Sequence, residues 1–182
     1  MNDSAPMPAS PFAVDAEALR ARRSQWVDLL ADAVTGGASV GFVLPPDRDA
    51  LAAFWDGIVD DIARGERVVY AVERGGRIVG SVQVAPCLKP NGRHRAEIQK
   101  LVVLSTARGC GIARTLMAAA EAHAARAGWW LLVLDTREDS TAELLYRKLG
   151  WNETGRVPDY ARDPDRTLAT CVFFWKRLEG TR

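Results

Sequence analysis

The stretch Arg108-Gly109-Cys110-Gly111-Ile112-Ala113 has the residue types and the surroundings of an anion-binding turn. It lies between an apolar, strand-like run over residues 98–104 and an Ala-rich, helical run over residues 112–127. Glycines let the backbone approach a ligand without interference from Cβ atoms. The helix that begins there directs free N–H groups and the positive end of its dipole at the same place. The sequence therefore predicts a pyrophosphate site at this turn.

The spacing of the glycines distinguishes this turn from other phosphate-binding loops. A P-loop is excluded because the chain contains no Gly-Lys-Ser or Gly-Lys-Thr. A Rossmann fingerprint is matched in part, since Gly109-x-Gly111 follows a strand and the next strand ends at Asp135. Its third glycine position holds Arg114, although close packing of helix on strand leaves no room for a side chain there. The pattern that remains is Arg-x-x-Gly-x-Ala.

This pattern resembles the signature [RQ]-x-x-G-x-[GA] of the GNAT superfamily of N-acetyltransferases. The order and spacing of the segments 97–101, 134–136 and 145–151 around the turn extend the resemblance. Within the superfamily the chain is most similar to the tabtoxin resistance acetyltransferase group, which shares its Asn91-Gly92 turn and its Arg95-Ala96-Glu97 segment. The resemblance covers roughly residues 16–176 and implies acetyl-CoA as co-substrate, with no metal.

The resemblance and the hydrophobic pattern together predict a single α/β (α+β) domain. We expect a mixed, mostly antiparallel central sheet with a splayed pair of parallel strands, flanked by about four helices. Residues 1–13 are expected to be a flexible tail and 14–178 the acetyltransferase domain. The periodicity predicts two amphipathic helices near the N-terminus, hairpins at Arg74-Gly75-Gly76-Arg77 and Asn91-Gly92, and, after a short helix over 141–149, one final strand over 168–175.

Transfer of an acetyl group from a thioester to an amine requires a neutral amine, a stabilised oxyanion and a protonated leaving thiol. Glu97 is the first choice for the base, on a strand whose alternation places Gln99 beside it and Val102 on the opposite face. A solvated glutamate paired with a nearby cation such as Lys100 is the alternative interpretation. Asp135 ends the neighbouring strand, where a second catalytic carboxylate and a turn-forming aspartate are equally good interpretations.

The resemblance assigns further roles. It implies that Tyr146 lies beside the thioester sulfur as a general acid, whereas the apolar stripe around Tyr146 also fits a core aromatic. It implies that backbone amides hold the pantetheine and the oxyanion, and that the glycine turn and one arginine hold the phosphates. Asp139 stands where many family members have an asparagine that contacts the cofactor, so its contact is an open question. The predicted cofactor-binding residues are Leu101, Val102, Val103, Arg108, Gly109, Cys110, Gly111, Ile112, Ala113, Asp139 and Tyr146.

Composition limits the class of partner. A net charge of +1 argues against binding of nucleic acid or an anionic membrane, and His94 and His123 have no metal-binding pattern. The chain has no apolar run long enough for a membrane helix and no secretory pattern, so a cytoplasmic location is expected. The prediction is an N-acetyltransferase for a small-molecule amine, for example an amino-acid-like toxin or antibiotic, acting by direct transfer as a monomer or homodimer. The alternative is an acyl-CoA-binding sensor or interaction module without turnover.

Overall fold

Residues 10–178, described here by a computed structural model, form one seven-stranded sheet with five α-helices. The strands are β1 (Phe12–Val14), β2 (Val68–Arg74), β3 (Arg77–Pro86), β4 (Arg95–Val103), β5 (Leu131–Arg137), β6 (Asn152–Arg162) and β7 (Leu168–Arg177). The helices are α1 (Ala16–Ala21), α2 (Arg23–Thr35), α3 (Arg48–Ala63), α4 (Ile112–Arg126) and α5 (Thr141–Lys148). The strand order in the sheet is β1-β2-β3-β4-β5-β7-β6.

The parallel pair at the centre of the sheet confirms the predicted fold class. All other neighbouring strands run antiparallel, whereas β4 and β5 run parallel and are joined through the crossover helix α4. Their pairing extends only from Arg95 opposite Leu131 to Glu97 opposite Val133. Beyond Glu97 the two strands separate, which leaves the facing backbone edge of β4 without a strand partner and opens a cleft.

A β-bulge in β4 changes which side chains share a face. Gln99 pairs with Gln83 and Val102 pairs with Ser81, so β4 has one more residue than β3 across this interval. Lys100 lies inside the interval with a φ of 49°, a conformation that few residues other than glycine adopt. Because Ser81 and Gln83 lie on the same face of β3, Gln99 and Val102 also share a face. The predicted strict alternation, which put Val102 opposite Gln99, is therefore wrong beyond the bulge.

Helices cover both faces of the sheet. Gly80 of β3 lets α4 approach closely, since a Cβ atom there would lie 3.0 Å from the Ile112 side chain. The opposite face carries Gln83, which is hydrogen-bonded to Arg67 just after α3. On that side the rings of Trp26 and Trp55, both fully buried, lie 5.0 Å apart and join α2 to α3. Among residues 10–178, no helix combines the length and the apolar character required to cross a membrane.

Three elements near the chain ends and at one edge differ from the sequence prediction. The first predicted helix is two helices, because the chain turns at Arg22, whose guanidinium bonds the Gly76 carbonyl at 2.9 Å. Phe12–Val14 pairs antiparallel with β2, so the ordered domain begins before residue 14, while residues 1–9 of the predicted tail lie outside the described residues. The edge strand β6 was missed, because nearly all its residues are exposed and it contains Pro158.

The two predicted hairpins are present. Gly75 and Gly76 join β2 to β3 with φ values of 57° and 76°, which suits a tight two-residue turn. Asn91-Gly92 lies in a short 3₁₀ turn over Pro90–Gly92 within the connection from β3 to β4. The final predicted strand is β7, and β6 precedes it as its antiparallel partner.

Candidate active site

The divergence of β4 and β5 opens a cleft of about 1030 Å³. Its walls come from β4, β5, the first turn of α4, α5, and the segment after α2. Glu97, Asp135 and Tyr146, predicted as catalytic residues from separate parts of the sequence, all line this one cleft. The sheet topology therefore brings together the three candidates for proton transfer.

The glycine turn forms one end of the cleft. Gly109 and Gly111 have φ values of 78° and 77°, and Gly111 precedes the first turn of α4 without a capping side chain. Gly111, Ile112 and Ala113 line the cleft, so the free N–H groups of this 15-residue helix are available to an anion there. Arg108 also lines the cleft, and its Nε donates to the Val103 carbonyl oxygen at 3.2 Å.

Two predicted cofactor residues, Cys110 and Asp139, are absent from the cleft lining, although each is adjacent in sequence to residues that line it. Cys110 is exposed and does not line the cleft. Asp139 has a φ of 58°, and its backbone amide donates to Glu143 Oε2 at 2.7 Å, outside the cleft lining. The remaining predicted cofactor residues, Leu101, Val102, Val103, Arg108, Gly109, Gly111, Ile112, Ala113 and Tyr146, line the cleft. The unpaired edge of β4 and the glycine turn thus form one continuous wall.

Asp135 has an altered acidity. Solvent reaches its side chain through the cleft, yet the surrounding walls desolvate the carboxylate and raise its pKa above the ordinary value of 3.8. The negative charge of Glu97 raises this pKa further, and the Lys100 ammonium opposes both effects. Glu97 forms no ion pair with any residue in 10–178, so the pairing with Lys100 considered from the sequence does not occur. The two carboxylates are therefore electrostatically coupled within one cleft.

Tyr146 packs in the core and also lines the cleft. Its ring packs in the core, 6.0 Å from the Trp151 ring and 6.1 Å from the Phe174 ring. Burial, followed by the charge of Asp135, raises the pKa of the Tyr146 phenol well above its ordinary value. The hydroxyl makes no hydrogen bond with the described part of the chain, and the side chain lines the cleft. The phenol thus stays protonated at neutral pH and is free to donate.

A group of charged side chains that sequence reasoning missed holds α5 in place. The buried Glu143 carboxylate accepts from the Asp139 amide, from Arg147 at 2.9 Å and from Arg156 of β6 at 3.1 Å. The Ser140 hydroxyl caps α5 by accepting from the Glu143 amide at 3.1 Å. These contacts join α5 to β6 and fix Tyr146 relative to β5. The Ser-x-x-Glu spacing at Ser140 was the signal that could have indicated this cap.

Lys100 is a second residue that the sequence pattern did not identify. Its side chain enters the cleft from the bulge, with Nζ 5.7 Å from the centre of the Phe54 ring. Desolvation lowers its pKa most, Arg67 lowers it further, and Asp135 and Glu97 oppose these effects. The cleft therefore holds a desolvated cation beside two carboxylates. Within 10–178, no group of three or more His, Cys, Asp or Glu side chains is arranged for a metal ion.

A sheet whose parallel strands β4 and β5 separate above a glycine turn, with that turn starting the crossover helix, is the architecture of the GNAT fold. Residues 65–153 match the acetyltransferase (GNAT) domain family. The chain is 34% identical over 113 residues to an uncharacterised N-acetyltransferase encoded in the hisH–hisA intergenic region of Azospirillum brasilense. That match spans 61% of this chain and 66% of the relative, which is just under two thirds of its length.

Solved structures share the fold over nearly the whole chain. The ribosomal-protein-alanine N-acetyltransferase of Brucella melitensis is 23% identical, with a TM-score of 0.74 over 92% of this chain and 99% of that one. The phosphinothricin acetyltransferase of Sinorhizobium meliloti, in complex with acetyl-CoA, is 20% identical, with a TM-score of 0.74 over 96% of this chain and 91% of that one. The chain is therefore a single GNAT-fold domain.

Proposed function

We propose that this protein transfers an acetyl group from acetyl-CoA to the amine of a small molecule, directly and within a ternary complex. The observation that carries the proposal is the convergence of two coupled carboxylates and a protonated phenol on one cleft that ends at an open helix N-terminus. The carboxylates supply a base for the amine, the phenol supplies an acid for the thiolate, and backbone N–H groups on the unpaired edge of β4 supply donors for the developing oxyanion.

The residues at the glycine turn suit the phosphates of acetyl-CoA. Gly109 and Gly111 adopt positive φ, and the uncapped first turn of α4 offers N–H donors and a positive dipole end. Arg108 lies at the same end of the cleft and adds a cation. The β4 edge from Leu101 to Val103 offers unpaired backbone groups to the amide-containing pantetheine, so we expect the thioester to lie near the bulge.

Glu97 and Asp135 act on the acceptor amine. The pair first attracts the ammonium group, and one carboxylate then takes the proton so that the nitrogen lone pair can attack the acetyl carbonyl carbon. The sequence favoured Glu97 as the base. The electrostatics of the cleft favour Asp135, because desolvation and the Glu97 charge raise its pKa. A higher pKa makes the carboxylate a stronger base for the proton of the acceptor ammonium.

Two further groups of the chain complete the transfer. A backbone N–H within 101–103 stabilises the negative charge that develops on the carbonyl oxygen as the C–N bond forms. When the C–S bond breaks, the Tyr146 hydroxyl gives its proton to the departing sulfur. The raised pKa of Tyr146 ensures that the proton is present at neutral pH. The tyrosinate regains a proton through the cleft once the thiol has left.

The acceptor is the finer part of the proposal. The names of the similar structures point to different acceptors, a ribosomal protein alanine in one and phosphinothricin in the other. The resemblance to the tabtoxin resistance group favours a small, amino-acid-like toxin or antibiotic. The mixture of acidic and basic side chains lining the cleft supports an acceptor of that kind, as opposed to a simple alkyl amine. The cytoplasmic location and the monomeric or dimeric state remain predictions.

A thiol-release screen tests this function. Acetyl-CoA is mixed with the protein and with amines, amino acids, dipeptides or aminoglycosides, and free thiol is followed over time. We expect release to depend on one acceptor class and to be lost in the double variant Glu97→Gln/Asp135→Asn. Tight binding of acetyl-CoA without thiol release for any acceptor would indicate an acyl-CoA-binding sensor instead.

A further inference from the structure

Lys100 occupies an unusual backbone position in the substrate half of the cleft. It is the bulge residue of β4, with a φ of 49°, and its side chain is half-buried. A residue other than glycine in this conformation is held there by its surroundings, and such residues are concentrated at functional sites. The Lys100 ammonium lies near Phe54 and Gly41 and close enough to Asp135 and Glu97 to feel their charges.

The space around the Lys100 ammonium is open on one side. Gly41 has a φ of 88°, and a Cβ atom built on it would lie 3.6 Å from Lys100 Nζ. The glycine therefore leaves room beside the cation that a side chain would fill. On another side the Phe54 ring covers the ammonium at 5.7 Å, which stabilises the charge but supplies no anion.

Lys100 has no anionic partner within residues 10–178. It makes no hydrogen bond there, and Nζ lies more than 4.0 Å from every carboxylate oxygen. The neighbouring Arg67, by contrast, is paired with Asp61 at 3.0 Å and bonded to Gln83 and Gln99. A desolvated, unpaired ammonium is costly in a folded protein, so a group that binds there gains by being negative.

The other cations lining the cleft are already engaged or lie at the phosphate end. Arg137 is paired with Asp163 at 2.5 Å, and Arg162 donates to the Arg166 carbonyl at 2.8 Å. Arg108 and Arg114 lie at the glycine turn and the first turn of α4. Lys100 is thus the cation that the described residues leave unpaired beside the two catalytic carboxylates.

We propose that Lys100 binds a carboxylate of the acceptor, so that the acceptor is a zwitterion whose ammonium lies between Glu97 and Asp135. This inference rests on the proposed function, because the amine is defined by the reaction. Lys100 forms no ion pair with either carboxylate, and all three residues line the same cleft, so one ligand with opposite charges could pair with the cation and with the carboxylates. An amino acid has both groups on one carbon and a short peptide has them at its two ends, whereas an aminoglycoside lacks the carboxylate.

Matched acceptors test the proposal. L-amino acids and short peptides are compared with their C-terminal carboxamides, which keep the amine and remove the negative charge. For each pair we measure kcat/KM of the wild-type protein and of Lys100→Met, which keeps the length of the side chain and removes its charge. A charged hydrogen bond contributes about 1.5–3 kcal/mol, which corresponds to a loss of roughly 10- to 100-fold. At a pH well above the raised pKa of Asp135, where loss of the Lys100 charge does not change the ionisation of that carboxylate, we expect this loss for carboxylate acceptors and a change below about threefold for their amides.

Two control variants separate the carboxylate contact from a general defect. Lys100→Arg keeps the charge and should preserve most of the preference for carboxylate acceptors. Lys148→Met removes the same charge from an exposed position on α5 that does not line the cleft, and it should leave both acceptor types unchanged. Circular dichroism and thermal unfolding of each variant show whether the fold is retained.

Each outcome has a definite meaning. Equal losses for a carboxylate acceptor and its amide, or no preference in the wild-type protein, would overturn the proposal. If no acceptor releases thiol, the binding of the same amino acids and amides is measured by calorimetry instead. Binding of the amino acids that is tighter than that of the amides, and dependent on Lys100, would then retain the carboxylate site and refute only the acetyl transfer. Absence of such binding would refute the site as well.

Discussion

Substitution of Gly111 by aspartate places a carboxylate at the proposed phosphate site. Gly111 precedes α4 with a φ of 77°, and a Cβ atom there would meet no other heavy atom within 4 Å. The change therefore creates no steric clash within residues 10–178. At this positive φ the new side chain does not take the extended geometry of an ordinary N-cap residue, so it gains little from capping the helix.

The expected loss of affinity can be worked from two contributions. Charge-assisted hydrogen bonds from the α4 amides to a phosphate contribute about 1.5–3 kcal/mol. Two like charges 4 Å apart repel by about 4 kcal/mol at an effective dielectric constant of 20, less the screening by salt. We therefore expect Gly111→Asp to weaken acetyl-CoA binding by more than about 2 kcal/mol, which is roughly thirtyfold in Kd.

Isothermal titration calorimetry with acetyl-CoA measures this loss, and two control variants separate charge from backbone strain. Gly111→Asn has nearly the same shape without the charge and should lose much less affinity. Gly65→Asp introduces the same residue at a φ of 70° outside the cleft. It should lower the free energy of unfolding by about 1–2 kcal/mol, as Gly111→Asp does through its positive φ, but it should bind acetyl-CoA like the wild type. A folded Gly111→Asp protein that binds acetyl-CoA like the wild type would refute the phosphate site at this turn.

Three further results are expected at the catalytic groups. Tyr146→Phe should lower kcat by about 10²-fold or more while calorimetry shows unchanged acetyl-CoA affinity, because only the proton donor is lost; an unchanged kcat would rule out the acid role. If Asp135 is the base, kcat/KM should fall as the pH drops through its raised pKa; Asp135→Asn should abolish this acidic limb of the pH profile, and Glu97→Gln should shift the limb to lower pH. If Glu97→Gln abolishes the limb instead, Glu97 is the base. Full activity of both variants at neutral pH would exclude both carboxylates as the base. Asp135→Asn should also raise the free energy of unfolding at neutral pH, since folding raises the pKa of this carboxyl and disfavours its charged form. This gain in the free energy of unfolding, measured by urea unfolding, should disappear below the ordinary aspartate pKa of 3.8, where the carboxyl is protonated in both the folded and the unfolded state. If the variant is not more stable than the wild type at neutral pH, Asp135 is not desolvated in the folded protein.

The sequence predicted those parts of the site that depend on local chemistry. Gly109 and Gly111 were identified from their spacing and their position between a strand and a helix, and both adopt the positive φ that only glycine accepts readily. Asp135 was found because it follows the apolar run 130–134, but β5 continues to Arg137, so Asp135 lies within the strand and is neither its last residue nor part of a turn. Tyr146 was assigned by resemblance, since an apolar helical stripe alone does not distinguish a core tyrosine from one that reaches a cleft.

The parts that could not be predicted depend on partners distant in the sequence. The role of Lys100 follows from a bulge, and a bulge is defined by the register of β4 against β3, which one strand's alternation does not reveal. The edge strand β6 has no buried face to create a pattern, and it is stabilised by pairing with β7 and by the contacts of Arg156 with Glu143. The acidity of Asp135 likewise arises from desolvation by the assembled walls of the cleft.

The most direct test of the account follows the acetyl group itself. Acetyl-CoA with an isotopically labelled acetyl group is incubated with the protein and the best acceptor of the thiol-release screen, and the products are analysed by mass spectrometry. We expect the acceptor to gain one labelled acetyl group on its amine, in an amount equal to the free CoA formed, and Tyr146→Phe to slow both together. Acetyl-CoA that binds the protein but remains unconsumed with every acceptor would refute acetyl transfer by this protein.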